Sequence, residues 1–334
     1  YTAGLYSGSG YVLITGNGCY AIVDGRYYVQ QKARMAAAPR QMNAVALLAD
    51  ENCRFYGHIN RICAGDSVRR LGFEAEVVSC MQYQKLENEL EPELVPVSPD
   101  SMRMVKDEEE IACIRRACEI ADRGYSYILG QIRAGMTEKQ VENRLLYYMK
   151  ELGAEKESFD IIVASGLNGS MPHAKASDKV IEPGDFVTMD FGVRVGEYCS
   201  DITRTFLFGD DKEHEEFKKA YRAVLTAHEL VKEKLVSGMT GGEADAIARN
   251  YLEEKGYGKY FTHSLGHGIG LNIHEFPSVR KGGTDVLVDG MVFSDEPGVY
   301  LAGEYGVRIE DTIALKDGKA ESFMHKTDRN LVIL

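Results

Sequence analysis

The chain has 334 residues, of which 44% are hydrophobic and 27% are charged, a composition that excludes a disordered protein. Its 39 lysines and arginines against 51 aspartates and glutamates give a formal net charge of -12, which argues against nucleic acid and anionic membrane surfaces as partners. No apolar run approaches the roughly 18 residues that a membrane helix needs, so the sequence predicts a soluble protein.

Short apolar runs separated by turn residues fill the first hundred residues. The runs at 11–15, 20–23 and 27–29 have the pattern of strands. A further strand is predicted at 44–48, and the region 71–78 fits additional strands and helices. This part of the sequence therefore predicts an α/β module rich in hairpins.

Two prolines mark the predicted domain boundary. Pro96 and Pro99 each disfavour a helical conformation of the preceding residue, and the composition turns strongly helical directly afterwards. We therefore expect an amino-terminal accessory domain at residues 1–104 and a larger domain at residues 105–334. The accessory domain is expected to be incomplete at its start, because the chain begins at Tyr1 without a methionine.

Cap signals and apolar spacing predict helices in the larger domain. Asp107 with Glu110 caps a long helix that Gly135 ends, and its apolar residues recur at steps of three and four. Thr137 with Gln140 caps a second helix. A buried strand and two more helices are predicted at 159–164, 212–236 and 242–255. This order of elements predicts a helix layer on one face of a mainly antiparallel sheet, which is the α+β class.

Two aspartates lie in a predicted hairpin at residues 187–205. If its loop consists of Val195 and Gly196, Asp190 and Asp201 face each other across the two strands. Because directly opposed like charges destabilise a sheet, the pair needs a shared proton or a cation, and a divalent metal bound by carboxylate oxygens would supply the cation. Alternatively, the register is shifted by one residue and both aspartates lie at solvated strand ends.

Three later segments add further potential metal ligands. His267 lies between glycines, which allow a bound group to approach closely. Glu296 ends an apolar strand before a Pro-Gly turn, and Arg308 and Glu310 share one face of a predicted strand at 306–310. Each signal is weak alone. Together the two aspartates, one histidine and two glutamates form a ligand set suited to manganese, zinc, cobalt or iron.

The order and local sequences of these five residues resemble the metal ligands of the pita-bread metallopeptidases. The branch that the chain resembles comprises the Xaa-Pro aminopeptidases and the Xaa-Pro dipeptidases (prolidases), and the similarity includes the amino-terminal module. The resemblance implies an α+β pita-bread catalytic domain preceded by a smaller creatinase-like α/β domain. The matching segments are Asp190, Tyr198-Cys199-Ser200-Asp201-Ile202-Thr203-Arg204-Thr205, Gly266-His267-Gly268-Ile269-Gly270-Leu271, Glu296-Pro297-Gly298 and Val307-Arg308-Ile309-Glu310-Asp311-Thr312.

By this resemblance the cofactor is a pair of divalent metal ions. Asp201 and Glu310 would bridge both ions, Asp190 would bind one, and His267 and Glu296 would complete the other. Manganese is the expected metal, and Zn²⁺, Co²⁺ and Fe²⁺ are chemically admissible. Glu296 is also the expected catalytic proton acceptor for an attacking water.

Three further histidines and one arginine resemble the family's substrate-side residues. His274 would hydrogen-bond the scissile carbonyl or its oxyanion, while His173 and His263 would contact the peptide and its proline. Arg308 would either orient a ligand carboxylate or meet a substrate carboxylate. The remaining histidines are expected to be structural: His58, His214, His228 and His325.

The expected reaction is hydrolysis of the bond between an N-terminal residue and proline. The alternative is a prolidase that accepts only dipeptides, and the sequence leaves both open because Arg308 and His263 occur in motifs that resemble both. The amino-terminal module argues against a methionine aminopeptidase, and the intact ligand set argues against a metal-free creatinase-like hydrolase. Retention of all five ligands also argues against a catalytically silent protein that only binds peptides or proteins.

Three expectations concern the rest of the chain. Asp295 stands where the family often has an apolar residue or asparagine, and strand alternation should turn it away from the metals, with little catalytic effect. The seven cysteines show no paired spacing, which indicates free thiols and a cytoplasmic protein. The resemblance implies a peptide with proline in second position as the substrate and a homodimer as the assembly.

Overall fold

A computed structural model of the chain describes residues 10–37, 44–209 and 214–334. The chain divides into two compact units, Tyr1–Pro99 and Asp100–Leu334. The boundary predicted near residue 104 coincides with the end of a short helix, Asp100–Met104, and a domain division at that residue stays a prediction. Within the described ranges, no helix combines the length and the apolar character needed to cross a membrane.

The first unit contains a β-hairpin, and a third strand adds to the hairpin in parallel orientation. Strand β1 pairs antiparallel with β2, β2 pairs parallel with β3, and β4 pairs parallel with β5. In chain order the elements are β1 (Gly10–Ile14), β2 (Cys19–Asp24), α1 (Tyr28–Ala37), β3 (Ala44–Ala49), α2 (Phe55–Gly65), β4 (Arg70–Glu74), α3 (Cys80–Glu89) and β5 (Glu93–Val97). Leu13, Ile22, Ile59 and Cys63 belong to its apolar core, where side chains of α2 meet those of the sheet.

The strands predicted at 11–15, 20–23 and 44–48 are confirmed as β1, β2 and β3. The strand predicted at 27–29 is wrong, because α1 begins at Tyr28. Three apolar residues are too few to distinguish the period of a strand from that of a helix. Asp24 Oδ1 also accepts a hydrogen bond from the backbone N–H of Arg26, which turns the chain between β2 and α1.

The second unit is built on a large antiparallel sheet. Its strand order is β13-β12-β14-β17-β11-β8-β7, and β18 pairs with β17. The elements are α4 (Asp100–Met104), α5 (Glu108–Leu129), α6 (Glu138–Glu151), β6 (Lys156–Glu157), β7 (Ile162–Ser165), β8 (Phe186–Phe191), β9 (Val193–Val195), β10 (Tyr198–Cys199), β11 (Ile202–Leu207), α7 (Glu215–Lys234), α8 (Gly241–Glu254), β12 (Gly266–Gly268), β13 (Glu275–Val279), β14 (Val292–Asp295), β15 (Gly298–Leu301), β16 (Tyr305–Arg308), β17 (Glu310–Lys316) and β18 (Lys319–Ser322). Helices packed on a mainly antiparallel sheet confirm the predicted α+β class.

The predicted helix caps are present. Asp107 with Glu110 and Thr137 with Gln140 form reciprocal capping boxes at the starts of α5 and α6. Helix α5 ends at Leu129, earlier than predicted, although the apolar spacing continues beyond it. The two later predicted helices correspond to α7 and α8, and residues 212–213 of that prediction lie outside the described residues. The predicted strand at 159–164 begins later, as β7.

The register predicted for the aspartate hairpin is wrong. Its turn consists of Gly196 and Glu197, with φ angles of 57° and 72°, rather than Val195 and Gly196. Positive φ at both central residues is typical of the tight turn whose twist matches a hairpin. Asp190 therefore pairs with Thr203 and not with Asp201, which lies two residues before Thr203. Residues two apart share a face, so both aspartates remain on one side of the sheet.

The single strand predicted at 306–310 is interrupted at Ile309. Arg308 ends β16, which pairs with β15 in a separate ribbon, whereas Glu310 begins β17 in the large sheet. The backbone N–H of Ile309 donates a hydrogen bond to the carbonyl of Pro297, at the start of that ribbon. Arg308 and Glu310 consequently reach the same cavity from two different sheets.

Candidate metal centre

A cavity of about 460 Å³ in the second unit brings the residues singled out in the sequence together. Apolar side chains such as Phe159, Ile162 and Ile273 line part of its wall, and the remaining wall is polar. All nine predicted site residues line it: His173, Asp190, Asp201, His263, His267, His274, Glu296, Arg308 and Glu310. Their individual roles stay predictions. The structure establishes that they share one space.

Five neighbouring strands present the five predicted ligands. The sheet order β12-β14-β17-β11-β8 runs through the centre of the large sheet. Each strand contributes one residue, which lies either within the strand or directly next to its end. In the order of the strands, these residues are His267, Glu296, Glu310, Asp201 and Asp190. Because neighbouring strands lie about 4.8 Å apart, side chains from adjacent strands on one face can meet at a single ion.

The ligand atoms are close enough to hold a metal. Asp201, His267 and Glu310 each offer one ligand atom, and these three atoms lie within 4.8 Å of one another. His267 Nε2 lies 3.6 Å from Asp201 Oδ2 and 3.4 Å from Glu296 Oε1. Mixed imidazole and carboxylate ligands suit first-row divalent metals.

Three carboxylates of this cluster each have one buried oxygen without a hydrogen-bond partner in the described part of the chain. Asp190 Oδ1, Asp201 Oδ1 and Glu310 Oε1 are buried and accept no hydrogen bond from any residue that the structure describes. Burial, reinforced by the neighbouring carboxylates, raises the pKa of Asp201 and Glu310 well above their usual range. Burial likewise raises the pKa of Glu296 to about 8. Divalent cations would fit these oxygens and stabilise their ionised forms.

His267 has the protonation state of a metal ligand. Burial, together with the neighbouring His274 ring, lowers the pKa of His267 to about 3, so its imidazole is neutral. Its Nδ1 lies 3.2 Å from the carbonyl oxygen of Gly268, which favours a proton on that nitrogen. Nε2 then carries the lone pair of the ring and faces Asp201 and Glu296.

Arg308 lies behind the carboxylates with most of its donors engaged. Its Nη2 donates to Asp190 Oδ2 at 2.6 Å, and its Nε donates to the hydroxyl of Thr203 at 3.0 Å. Its Nη1 donates to the hydroxyl of Tyr300 at 2.5 Å and to the carbonyl of Pro172 at 3.3 Å. These contacts match the first of the two roles predicted for Arg308, which is to orient a ligand carboxylate.

The three remaining histidines differ in their surroundings. His263 Nδ1 lies 2.8 Å from the carbonyl oxygen of Ser264 and its Nε2 lies 3.1 Å from the hydroxyl of Tyr300. Burial and the nearby Arg308 lower the pKa of His263 to about 4. The ring of His274 lies edge-on to His267, with centroids 4.2 Å apart. His173 lines the cavity wall.

A buried ion pair fixes the segment that carries His274. Lys106 Nζ lies 2.8 Å from Glu275 Oε1, and the two side chains are 1% and 3% exposed. Glu275 Oε2 also accepts a hydrogen bond from the backbone N–H of Asn272. The residues on both sides of His274 are thus held in place.

Several residues in and behind the site were not singled out in the sequence. The hydroxyl of Thr203 donates to Glu310 at 2.6 Å, and that of Thr312 donates to the carbonyl of Asp201 at 2.7 Å.

On the opposite face of the sheet, Asp295 contacts His228, so its side chain points away from the cavity as strand alternation predicts. The one available signal for this contact was that His228 lies among the buried apolar residues of α7, such as Val224 and Val231.

The fold and the site define a metal-dependent hydrolase built on an antiparallel sheet. Residues 112–317 match metallopeptidase family M24, and residues 1–105 match the creatinase/prolidase N-terminal domain. The chain belongs to metallopeptidase family M24, whose members use divalent metal ions, and its catalytic unit has the predicted pita-bread fold.

Relatives of this chain carry two activity names. An Xaa-Pro dipeptidase from Pyrococcus horikoshii is 37% identical over 97% of this chain and 88% of that protein. An Xaa-Pro dipeptidase structure from Bacillus anthracis covers 99% of this chain and 91% of its own, at 38% identity and a TM-score of 0.92. An X-Pro aminopeptidase structure from Thermotoga maritima covers 97% and 90%, at 36% identity and a TM-score of 0.88.

Proposed function

We propose that this protein is a dinuclear metallopeptidase that cleaves the bond between an N-terminal residue and proline. The single observation that carries the metal assignment is the set of buried carboxylate oxygens without hydrogen-bond partners among the described residues. Asp201 and Glu310 would each bind both ions, Asp190 would bind one ion, and His267 and Glu296 would complete the other. When bound, the ions would polarise the scissile carbonyl and lower the pKa of the attacking water. Manganese is the proposed metal.

The protein's own groups have distinct roles in this proposal. Glu296 accepts the proton of the attacking water, because its carboxylate lies at the cavity and is held by the hydroxyl of Ser294. His274 donates a hydrogen bond to the oxygen of the scissile carbonyl, where negative charge develops. His173 and His263 contact the peptide and the proline ring. Arg308 fixes the orientation of Asp190 through the bond between their side chains.

Proline explains why a dedicated cavity is needed. A peptide bond before proline has no N–H, and the ring fixes φ, so peptidases that bind their substrate as an extended donor strand reject it. The cavity here offers apolar wall from Ile162 and Ile273 beside the polar cluster. This combination supports recognition of the ring next to the reacting carbonyl.

An aminopeptidase acting on longer peptides is the first candidate. A dipeptide-only enzyme needs a cation or imidazole to receive the free carboxylate of proline. Two buried residues could receive this carboxylate, but both already have partners within the protein. Arg308 bonds to Asp190 and Tyr300, and His263 contacts Ser264 and Tyr300. A peptide that continues beyond proline has no carboxylate at that depth and needs no such partner.

A dipeptidase is the second candidate, and Lys175 is the observation that favours it. Lys175 lines the same cavity, and its Nζ lies 3.5 Å from Asp160 Oδ2. Both side chains are more than 80% exposed, at 85% and 86%, so their pairing is weak and a substrate carboxylate can displace Asp160. Relatives named Xaa-Pro dipeptidase support the same candidate.

Mass-spectrometric detection of the products from three peptides tests the proposed function. Ala-Pro, Ala-Pro-Ala and Ala-Ala-Ala are each incubated with the enzyme plus Mn²⁺ and, separately, with a chelator. Metal-dependent cleavage of Ala-Pro-Ala supports the aminopeptidase, and cleavage confined to Ala-Pro supports the dipeptidase. Cleavage of Ala-Ala-Ala at a similar rate contradicts the specificity for proline, and absence of cleavage contradicts the enzymatic function.

Three further features belong to this proposal. We assign residues 1–104 as the accessory domain and residues 105–334 as the catalytic domain. The free thiols of the seven cysteines support a cytoplasmic location. A homodimer is proposed from family resemblance and is tested by light scattering of the purified protein.

A further inference from the structure

Two aspartates face each other directly across the strands that carry two of the proposed ligands. Asp295 in β14 pairs with Asp311 in β17 in the antiparallel register. Both side chains are buried, with residue exposures of 1% and 0%. Like charges directly opposed across a ladder destabilise a sheet, and burial increases the cost. This pair therefore requires a buried cation.

His228 of helix α7 lies against both carboxylates, whereas the guanidinium groups of Arg204 and Arg329 pair with Asp311 alone. Its Nδ1 lies 2.9 Å from Asp295 Oδ2 and its Nε2 lies 3.4 Å from Asp311 Oδ2. The residue is 0% exposed. Burial opposes a charged imidazole, but the carboxylates of Asp295 and Asp311 outweigh it and raise the pKa of His228 to about 9.

The two aspartates differ in how strongly they depend on His228. Asp311 also accepts hydrogen bonds from Arg204 at 2.7 Å, from Arg329 and from the hydroxyl of Ser322 at 2.6 Å. Asp295 accepts no hydrogen bond from the described part of the chain. His228 is the one ion-pair partner of Asp295 among those residues. Loss of the imidazolium would thus leave Asp295 without an ion-pair partner among the described residues.

The dependence of Asp295 matters because Glu296 follows it. Glu296 and Glu310 adjoin Asp295 and Asp311 in sequence, and alternation along the strands places the glutamates on the opposite face. Both glutamates line the cavity, whereas the aspartates face α7. The ends of β14 and β17 therefore carry one acidic pair on each face.

We propose that His228 is a positioning residue for the metal centre, acting through Asp295 on Glu296 and on the β14–β17 junction. Its imidazolium holds the two opposed aspartates together and so keeps the glutamates on the other face at the separation that the metals require. Outer residues of this kind set the orientation of the ligands that they support. The inference rests on the proposed metal centre, and it concerns affinity for metal rather than the choice of peptide.

Metal binding by His228→Gln tests this role. The full-length protein is stripped of metal, and its affinity for Mn²⁺ is measured by titration calorimetry or by competition with a fluorescent chelator. His228→Gln removes the charge while retaining one donor, and we expect the affinity to fall about 10-fold to 100-fold. The kcat of the folded variant should recover as Mn²⁺ is raised, a rescue that general structural damage would not produce.

A paired substitution separates the charge from the packing. In His228→Gln/Asp295→Asn the cation and its dependent anion are removed together, so we expect the Mn²⁺ affinity to return to within about threefold of the wild type. His58→Gln is the matched control, because His58 is buried in the first unit and its Nε2 contacts the carbonyl of Leu48. That control should leave Mn²⁺ affinity unchanged.

If His228→Gln folds, two outcomes overturn the inference. Either a folded His228→Gln variant binds Mn²⁺ with an affinity within twofold of the wild type, or the paired variant binds as weakly as the single one. If His228→Gln does not fold, recovery of both folding and affinity in the paired variant supports the proposal, and a folded paired variant with weak affinity overturns it. Failure of the wild type itself to bind Mn²⁺ would instead contradict the proposed function.

Discussion

Arg308 and Asp190 form a hydrogen-bonded ion pair in which Nη2 lies 2.6 Å from Oδ2. The second oxygen of Asp190, Oδ1, is buried and has no hydrogen-bond partner in the described residues. Arg308 Nε also donates to the hydroxyl oxygen of Thr203, and that hydroxyl donates to Glu310 Oε2. One guanidinium thus contacts Asp190 directly and Glu310 through Thr203, and one oxygen of Asp190 remains without a partner among the described residues.

Arg308→Lys should weaken metal binding although the charge is retained. A lysine ammonium cannot reproduce the planar fork that reaches Asp190, Thr203 and Tyr300 together. We expect Mn²⁺ affinity to fall about 10-fold to 100-fold, as measured by chelator competition. Arg115→Lys is the matched control, since Arg115 forms a two-bond pair with Glu321 away from the cavity. Equal affinities of the two variants would contradict the orienting role of Arg308.

Asp201→Ala should abolish turnover while the fold is retained. Asp201 is proposed to bind both ions, so its loss should release at least one metal, and the remaining site should fall short of the activity of the pair. Metal content by plasma mass spectrometry and secondary structure by circular dichroism measure the two effects. An active variant that still carries its full metal content would sink the assignment.

Removal of the metals should make stability depend on pH. Burial raises the pKa of Glu296 to about 8 and also raises the pKa of Asp201 and Glu310, whereas these groups have ordinary values in the unfolded chain. Above about pH 6.5 the buried His263 and His267 are neutral in the folded and the unfolded chain alike, so from there to about pH 8 the metal-free folded state binds more protons than the unfolded state. Its free energy of unfolding consequently falls as the pH rises through that range.

Bound Mn²⁺ compensates the carboxylate charges and should oppose this loss. We expect the increase in Tm on adding Mn²⁺ to be larger at about pH 8 than at about pH 5.5, because the ionised carboxylates are least stable alone at the higher pH. Differential scanning calorimetry on stripped and loaded protein measures the increase. A Tm gain that is the same at both values of pH would contradict the account of the cluster.

The convergence of the proposed ligands on one cavity could be predicted because each of them lies in its own short sequence pattern. Asp201, His267 and Glu296 are each recognisable without knowledge of which strands pair. Their convergence follows from the order of the central strands, which places the segments next to one another. The same local patterns predicted the capping boxes of α5 and α6, because a cap depends on residues three apart.

Strand register could not be predicted in the same way. The hairpin turn uses Glu197 with a φ of 72°, and a positive φ is uncommon for a residue other than glycine, so Val195 and Gly196 were the wrong choice for the loop. The pairing of Asp295 with Asp311 depends on strands separated by a ribbon, and their contact with His228 depends on how α7 packs. Such contacts leave no local signal in the sequence.

His274→Ala should lower kcat more than it raises KM. The proposed hydrogen bond from His274 strengthens as charge develops on the carbonyl oxygen, so its loss affects the transition state more than the bound substrate. We expect kcat to fall by about 10²-fold to 10³-fold. His325→Ala, at an exposed position, is the control. An unchanged kcat with an increased KM would assign His274 to ground-state binding instead.

Lys175→Met should distinguish substrates by their terminal carboxylate. Lys175 lines the cavity with its ammonium exposed and only weakly paired with Asp160, so a free proline carboxylate can reach it. If Ala-Pro is bound through this contact, the substitution should raise its KM about 2-fold to 5-fold, because an ion pair at an exposed site contributes about 0.5–1 kcal/mol. The KM of Ala-Pro-amide, which lacks the carboxylate, should stay the same. Lys139→Met is the matched control, since Lys139 forms an exposed pair with Asp178 outside the cavity lining. Equal changes for Ala-Pro and its amide would exclude Lys175 as the carboxylate partner and favour the aminopeptidase.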